Sequence, residues 1–370
     1  MNGLTMKRAV AVLSVSIAAC SCSGPSAAPP SCPGATSQRL VNGVAQETYL
    51  GVSQNQSNAI VQVVDSAQPN GALCSGTFVA PEWVVTAQHC LQITAPAVVV
   101  QGDAHASLAV LSVTSTVANP TEDVALLHVD VSSSNDAAPD GGLAGVIPIS
   151  AEGTNVGPLA VGDVVELAGY GVTETGSVRS LRFLAESIVG LDLASITVSG
   201  FGATGACAGD SGGPLLVRAS DGTLAVVGVL SDGSGTCLDE DTYARLDGIH
   251  DWIESVIGSY ASVDKECGTI TEVGRCLYGV ALSCSGTEIV ANVCAAGEIC
   301  GWDTGQAAFR CVDPSSDPCA GVDSVGACQN GAAEWCNGGV LETESCGPCG
   351  TCRVDGQTGS PECRSGSEAE

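Results

Sequence analysis

Six cysteines, at positions 267, 276, 284, 294, 300 and 311, are followed by six more at 319, 328, 336, 346, 352 and 363, each displaced by 52 residues. Gly274 and Gly326, and Gly286 and Gly338, keep the same offset. A fixed period carried by cysteines and turn glycines marks a tandem duplication, with units at 261–314 and 315–370. A unit of this size buries too little apolar surface to hold itself together. Disulfides, each contributing about 2 to 4 kcal/mol, are the natural staples, and their pairing within each six is left open by the sequence. Zinc is the competing reading for "CGPCGTC", Cys346 to Cys352, but no histidine follows His250.

The first nineteen residues read as an export signal. Lys7 and Arg8 precede an apolar run from Ala9 to Ala19, shorter than the ~20 residues a bilayer span needs. The run ends in "IAAC", which resembles the lipobox of bacterial lipoproteins, with Cys20 as the lipidated residue; an ordinary secretory signal is the alternative. Either way the chain is exported, to the cell envelope or the medium, where twenty cysteines are read as disulfides. Residues 20–39, rich in Pro, Ser, Ala and Gly, form a linker or pro-segment. A formal net charge of −28 repels nucleic acid and excludes it as a partner.

From residue 40 to 260, short runs of Val, Ile, Leu and Thr such as "AIVQVV", "VVELAGYG" and "LAVVGVLS" alternate with Gly, Asn, Asp and Pro breaks. Strand-length apolar runs without helical period predict an antiparallel sandwich or barrel. One helix is predicted, over 247–260, with Ile249, Ile253 and Val256 on one face.

The stretch "GACAGDSGGPLL" sets Ser211 between an aspartate and two glycines. A serine hydroxyl needs a general base, and the base needs a group that fixes its tautomer. Only four histidines exist: His89, His105, His128 and His250. His89 stands beside Cys90, which can close a loop to Cys74, and "NPTEDVALLHVD" sets Asp123 at the head of an apolar run. A carboxylate there is costly unless something pairs with it. "GDSGG" also fits the nucleophile elbow of α/β-hydrolases, but that order requires a histidine after the serine, and His250 sits in the terminal helix.

"TAQHC", "EDVALL", "CAGDSGGP", "AGYG" and "DWI", in this order apart from "AGYG" preceding the serine motif, resemble the trypsin and chymotrypsin family of serine peptidases. The resemblance implies an all-β fold, a double six-stranded antiparallel barrel with a C-terminal helix, here followed by the two disulfide-rich repeats. It implies a catalytic set of His89, Asp123 and Ser211 in the cleft between barrels, with Gly209 and Ser211 donating to the oxyanion. It also implies bridges Cys74–Cys90 and Cys207–Cys237, and peptide or protein substrates without a cofactor; the family's calcium loop has no counterpart with several acidic residues between His89 and Asp123, so no metal is expected. Gly205 falls at the floor of the primary pocket, Ser231 and Gly233 in the wall that pairs with substrate, and Asp241 on the opposite wall. A buried carboxylate at Asp241 would favour substrate Arg or Lys; turned to solvent, it would leave a pocket for apolar residues. "QRLVNG" resembles the activation site, so cutting after Arg39 would free Leu40 to pair with Asp210. The other class of function is a catalytically silent binding or adhesion protein on the same scaffold. Lipid on Cys20 would attach the chain to a membrane, and the repeats would hold a surface, a glycan or a partner.

Overall fold

The computed structural model describes residues 49–365, apart from 68–72, 102–106, 139–141, 152–155, 174–179, 259–264, 278, 348–349 and 357. The signal, Cys20, Arg39, Leu40 and His105 lie outside the described residues.

A short helix α1 (Gln54–Ser57) opens the fold. Ser53 and Gln56 cap it reciprocally, each side chain accepting from the other's backbone N–H. The first barrel follows: β1 (Ile60–Asp65), β2 (Leu73–Ala80), β3 (Trp83–Thr86), β4 (Pro96–Gln101), β5 (Ser107–Ala118) and β6 (Ala125–Val129). Its strands close in the order β1-β2-β3-β6-β5-β4. Val63, Phe78, Val84, Val98, Leu111 and Leu127 share one face of this closed sheet, each at most 1% exposed.

The second barrel is built from β7 (Ser150–Ala151), β8 (Val164–Gly169), β9 (Arg182–Leu191), β10 (Ser195–Ser199), β11 (Pro214–Arg218), β12 (Leu224–Gly233) and β13 (Glu240–Arg245). Six of these close through the β11–β12 pair, and β7 adds a parallel edge to β12. Its interior is a separate cluster around Val165, Leu184, Ile188, Val198, Leu215 and Tyr243. The terminal helix is shorter than its pattern predicts. A 3-10 turn covers Asp247–Ile249, α2 covers His250–Ile257, and Gly258 at φ +78° caps it. Glycine at that place stops a helix at little cost.

The C-terminal region is disulfide-rich and all β. Strands β14 (Arg275–Leu277), β15 (Val280–Ser285) and β16 (Glu288–Val293) form one sheet, and β17 (Ile299–Asp303) and β18 (Ala308–Val312) a hairpin. Strands β19 (Ala327–Gln329), β20 (Ala332–Asn337) and β21 (Val340–Ser345), then β22 (Gly350–Val354) and β23 (Pro361–Ser365), repeat that layout. Bridges 267–284, 276–300 and 294–311 in the first set match 319–336, 328–352 and 346–363 in the second. Cys346 and Cys352, the zinc alternative, are thus consumed in separate bridges.

This region packs onto the barrels. The buried Arg275 donates to Tyr49 O and lies 4.8 Å over the Tyr49 ring, while its charge faces the buried Asp323 at 3.7 Å. A Cβ on Gly359 would stand 2.2 Å from the same ring. Arg218 holds the neighbouring carbonyls of Leu50 and Gly51 at 2.5 and 2.6 Å, and Glu166 accepts from Leu50 N at 3.0 Å. Chain entry is therefore gripped from the second barrel and from both halves of the C-terminal region.

Candidate active site

His89 lies on the 3-10 turn Gln88–Gln92 that follows β3, tied down by the Cys74–Cys90 bridge. Asp123 sits in the loop before β6, and its Oδ2 is 2.8 Å from His89 Nδ1 while its Oδ1 accepts from the His89 amide at 2.9 Å. The Ser231 hydroxyl, from β12 of the other barrel, donates to the same Oδ2 at 2.8 Å. Burial works against the Asp123 charge, but the hydrogen bonds from His89 and Ser231 outweigh it and hold the carboxyl below the usual range. The same hydrogen bond raises the His89 pKa above that of a free imidazole against its partial burial. The arrangement fixes the ring with Nδ1 protonated and Nε2 free to accept.

Ser211 reaches this neighbourhood through one residue of the first barrel. Ser75, beside the bridged Cys74, donates its amide to Ser211 O at 2.7 Å and its hydroxyl to Gly209 O at 3.0 Å. Its own carbonyl accepts from Thr86 Oγ1 at 2.7 Å, three residues before His89. Gly212 makes this approach possible. It adopts φ +83°, and a Cβ there would lie 2.2 Å from Thr86 Oγ1 and 2.3 Å from Ser75 O. Among the described residues, the Ser211 hydroxyl and His89 Nε2 have no hydrogen-bond partner, and neither do the amides of Gly209 and Ser211. Two unused N–H groups beside a hydroxyl can receive negative charge developing on a carbonyl oxygen.

Asp210 is buried. Its carboxylate accepts from Gly171 N at 2.7 Å and Cys207 N at 2.9 Å, yet burial outweighs these bonds and pushes its pKa up to about 6. A cavity lined by Leu167, Gly169, Leu184, Ala206 and Tyr243 adjoins it. Gly205 rests on Cys237 O, which a Cβ would approach to 3.0 Å, with the Cys207–Cys237 bridge beside it. Asp241, fully buried, accepts from Ala206 N at 2.5 Å, and its Oδ1 faces Gly233 across the strand pair. That oxygen has no hydrogen-bond partner among the described residues. Burial, and then the Asp210 charge, raise the Asp241 pKa against the Ala206 hydrogen bond.

A family model described as Trypsin matches residues 49–253, more than half of the chain. The chain belongs to the trypsin family. A "Serine protease SP24D" of Anopheles gambiae is 28% identical over 214 residues, covering 52% of this chain and 74% of that protein. "Lectizyme" of Glossina austeni is 26% identical over 62% of this chain and 91% of its own length. "Coagulation factor XII" of Cavia porcellus is 32% identical over 44% of this chain, a match spanning 32% of that protein.

The structure brings His89, Asp123 and Ser231 together, ties Gly209 and Ser211 to Ser75, and sets Asp241 between Gly233 and Ala206, the residue after Gly205. Two residues here were not singled out by sequence. Ser75 carries no motif, since its value lies in backbone contacts more than a hundred residues away. Glu186 is buried in the second barrel, where Oε1 accepts from Thr204 Oγ1 at 2.9 Å and Oε2 has no partner among the described residues. Burial and then the charge of Asp241 drive its pKa well up. A signal was visible, because Leu184, Glu186 and Ile188 share an inward face and one of the three is a carboxylate.

Proposed function

We propose that this trypsin-family chain is an exported serine endopeptidase that cleaves after Arg or Lys and tolerates large apolar residues. Ser211 Oγ attacks the scissile carbonyl carbon and its proton passes to His89 Nε2, while Asp123 stabilises the imidazolium. The oxyanion accepts from Gly209 N–H and Ser211 N–H. The tetrahedral intermediate collapses, His89 protonates the leaving amine, and water, deprotonated by His89, releases the acyl group. The observation that carries this reading is the fixed Asp123–His89 pair beside a serine flanked by two unoccupied amide donors.

The peptidase unit spans 40–260 and precedes the duplicated units at 261–314 and 315–370. Residues 1–19 direct export and Cys20 carries the lipid. Cleavage after Arg39 frees the Leu40 amine, whose cation pairs with the buried Asp210 and lowers its pKa. The expected result with a serine-reactive phosphonate is stoichiometric labelling of Ser211 in chains whose N-terminus is Leu40, and slow labelling before that cut. An unlabelled mature chain would identify a silent scaffold instead.

Selectivity follows from Asp241. A substrate cation supplies the partner its unpaired oxygen lacks, so Asp241→Gly is expected to lower the preference for Arg over Leu at the cleaved residue by about tenfold or more. The ionised carboxylate is the attracting form and its pKa is raised, so the Arg preference of the unsubstituted enzyme grows as pH rises through neutrality. Peptide-library profiling at two pH values checks both. Identical profiles for Asp241→Gly and its parent would remove Asp241 from the pocket.

A further inference from the structure

The segment 200–206, "GFGATGA", leads from β10 to the pocket floor and contains three glycines. So glycine-rich a stretch has many conformations open to it unless something outside restrains it. Phe201 within it adopts φ +53°, a left-handed conformation that a bulky residue takes only at a cost. The restraint comes from far along the chain. Arg353, on β22, donates to Phe201 O, and its guanidinium stacks 5.4 Å from the Phe201 ring centroid. Strand β10 pairs with β9 only at Ser187 and beyond, and Gly356 O takes the next free donor, Ala185 N, at 2.8 Å. A Cβ on Gly356 would stand 2.6 Å from Thr204 Cγ2, so the β22–β23 turn touches Thr204 as closely as a residue without a side chain allows. Thr204 in turn donates to Glu186, and two residues on, Ala206 N donates to Asp241.

The hairpin that makes these contacts is itself rigid. Cys352 and Cys363 face each other across it, and the bridges Cys328–Cys352 and Cys346–Cys363 tie both strands to the rest of the second cysteine set.

We propose that the second cysteine-rich unit is a working part of the primary pocket, its β22–β23 hairpin holding segment 200–206 through Arg353 and Gly356 so that Ala206 meets Asp241. The proposal rests on the reading of Gly205 and Asp241 as that pocket. Arg353 and Gly356 are positioning residues, since they act on substrate through Phe201 and Thr204. The unit's partner on this face is accordingly the peptidase itself.

The test uses the full mature chain. Arg353→Ala is expected to raise KM for an Arg peptide and Ki for benzamidine together by about tenfold, with kcat within about twofold and phosphonate stoichiometry unchanged. Arg353→Lys, which keeps a donor for Phe201 O, recovers part of the loss. Gly356→Ala, which drives a methyl into Thr204 and leaves Arg353 in place, shifts KM and Ki in the same direction. Amide hydrogen exchange across 203–207 is expected to quicken in both Arg353→Ala and Gly356→Ala. Unchanged KM and Ki in both, or a loss confined to kcat, would overturn the brace. Absence of labelling in the unsubstituted chain would instead overturn the peptidase reading, and the exchange rates would then decide the brace alone: faster supports it, identical refutes it.

Discussion

Ser211→Ala is expected to lower kcat for peptide hydrolysis by about 10⁶, the scale on which triad catalysis collapses when its nucleophile is lost. The structure says why the fold should survive. The Ser211 hydroxyl bonds nothing among the described residues, so its removal strands no buried partner. What holds residue 211 is its carbonyl, which accepts from Ser75 N, and alanine keeps that carbonyl. The melting temperature is expected to stay within a few degrees of the parent. Calorimetry and a progress curve on one preparation check both halves, and parental turnover in the variant would defeat the mechanism.

Asp123→Asn is the second large effect, a fall of about 10⁴ in kcat at neutral pH. An amide has nearly the same shape, but its NH2 group faces His89 Nδ1 and turns that nitrogen into an acceptor. The ring proton then resides on Nε2, where it blocks uptake of the serine proton. The pH profile carries an independent signature. His89 works as a neutral base, so activity is lost as pH falls through its pKa. The Asp123 hydrogen bond raises that pKa, and removing it moves the acid limb of the remaining kcat/KM to lower pH. An unmoved limb would mean that Asp123 does not govern the His89 proton.

The apolar runs bounded by turn residues were enough to show an antiparallel sandwich or barrel, and the double barrel followed only from the resemblance carried by the contiguous motifs around His89, Asp123 and Ser211. The small helix α1 was missed: Ser53 and Gln56 stand at capping-box spacing, but a four-residue helix has no amphipathic period to notice, and only the terminal helix was expected. The end of α2 was overrun because apolar spacing continues past Gly258, and backbone conformation, not spacing, decides there. Cysteine pairing in the C-terminal region was illegible in principle, as a list of positions does not rank pairings. Docking was illegible for a different reason. Arg275, Arg353 and Gly356 look like ordinary loop or strand residues until their partners, Tyr49, Phe201 and Thr204, arrive from 152 or more positions upstream.

That last separation has a temporal side. Tyr49, near the beginning, is covered by Gly359, near the end, 310 positions later by the difference of their numbers. A ribosome adds about 5 to 20 residues per second, so for many seconds the first strands exist while their cover does not. Until the β22–β23 hairpin is made, oxidised and docked, segment 200–206 has no Arg353 to rest on. Order of synthesis thus becomes order of completion: Phe201 waits for an arginine 152 positions downstream before its carbonyl finds a donor.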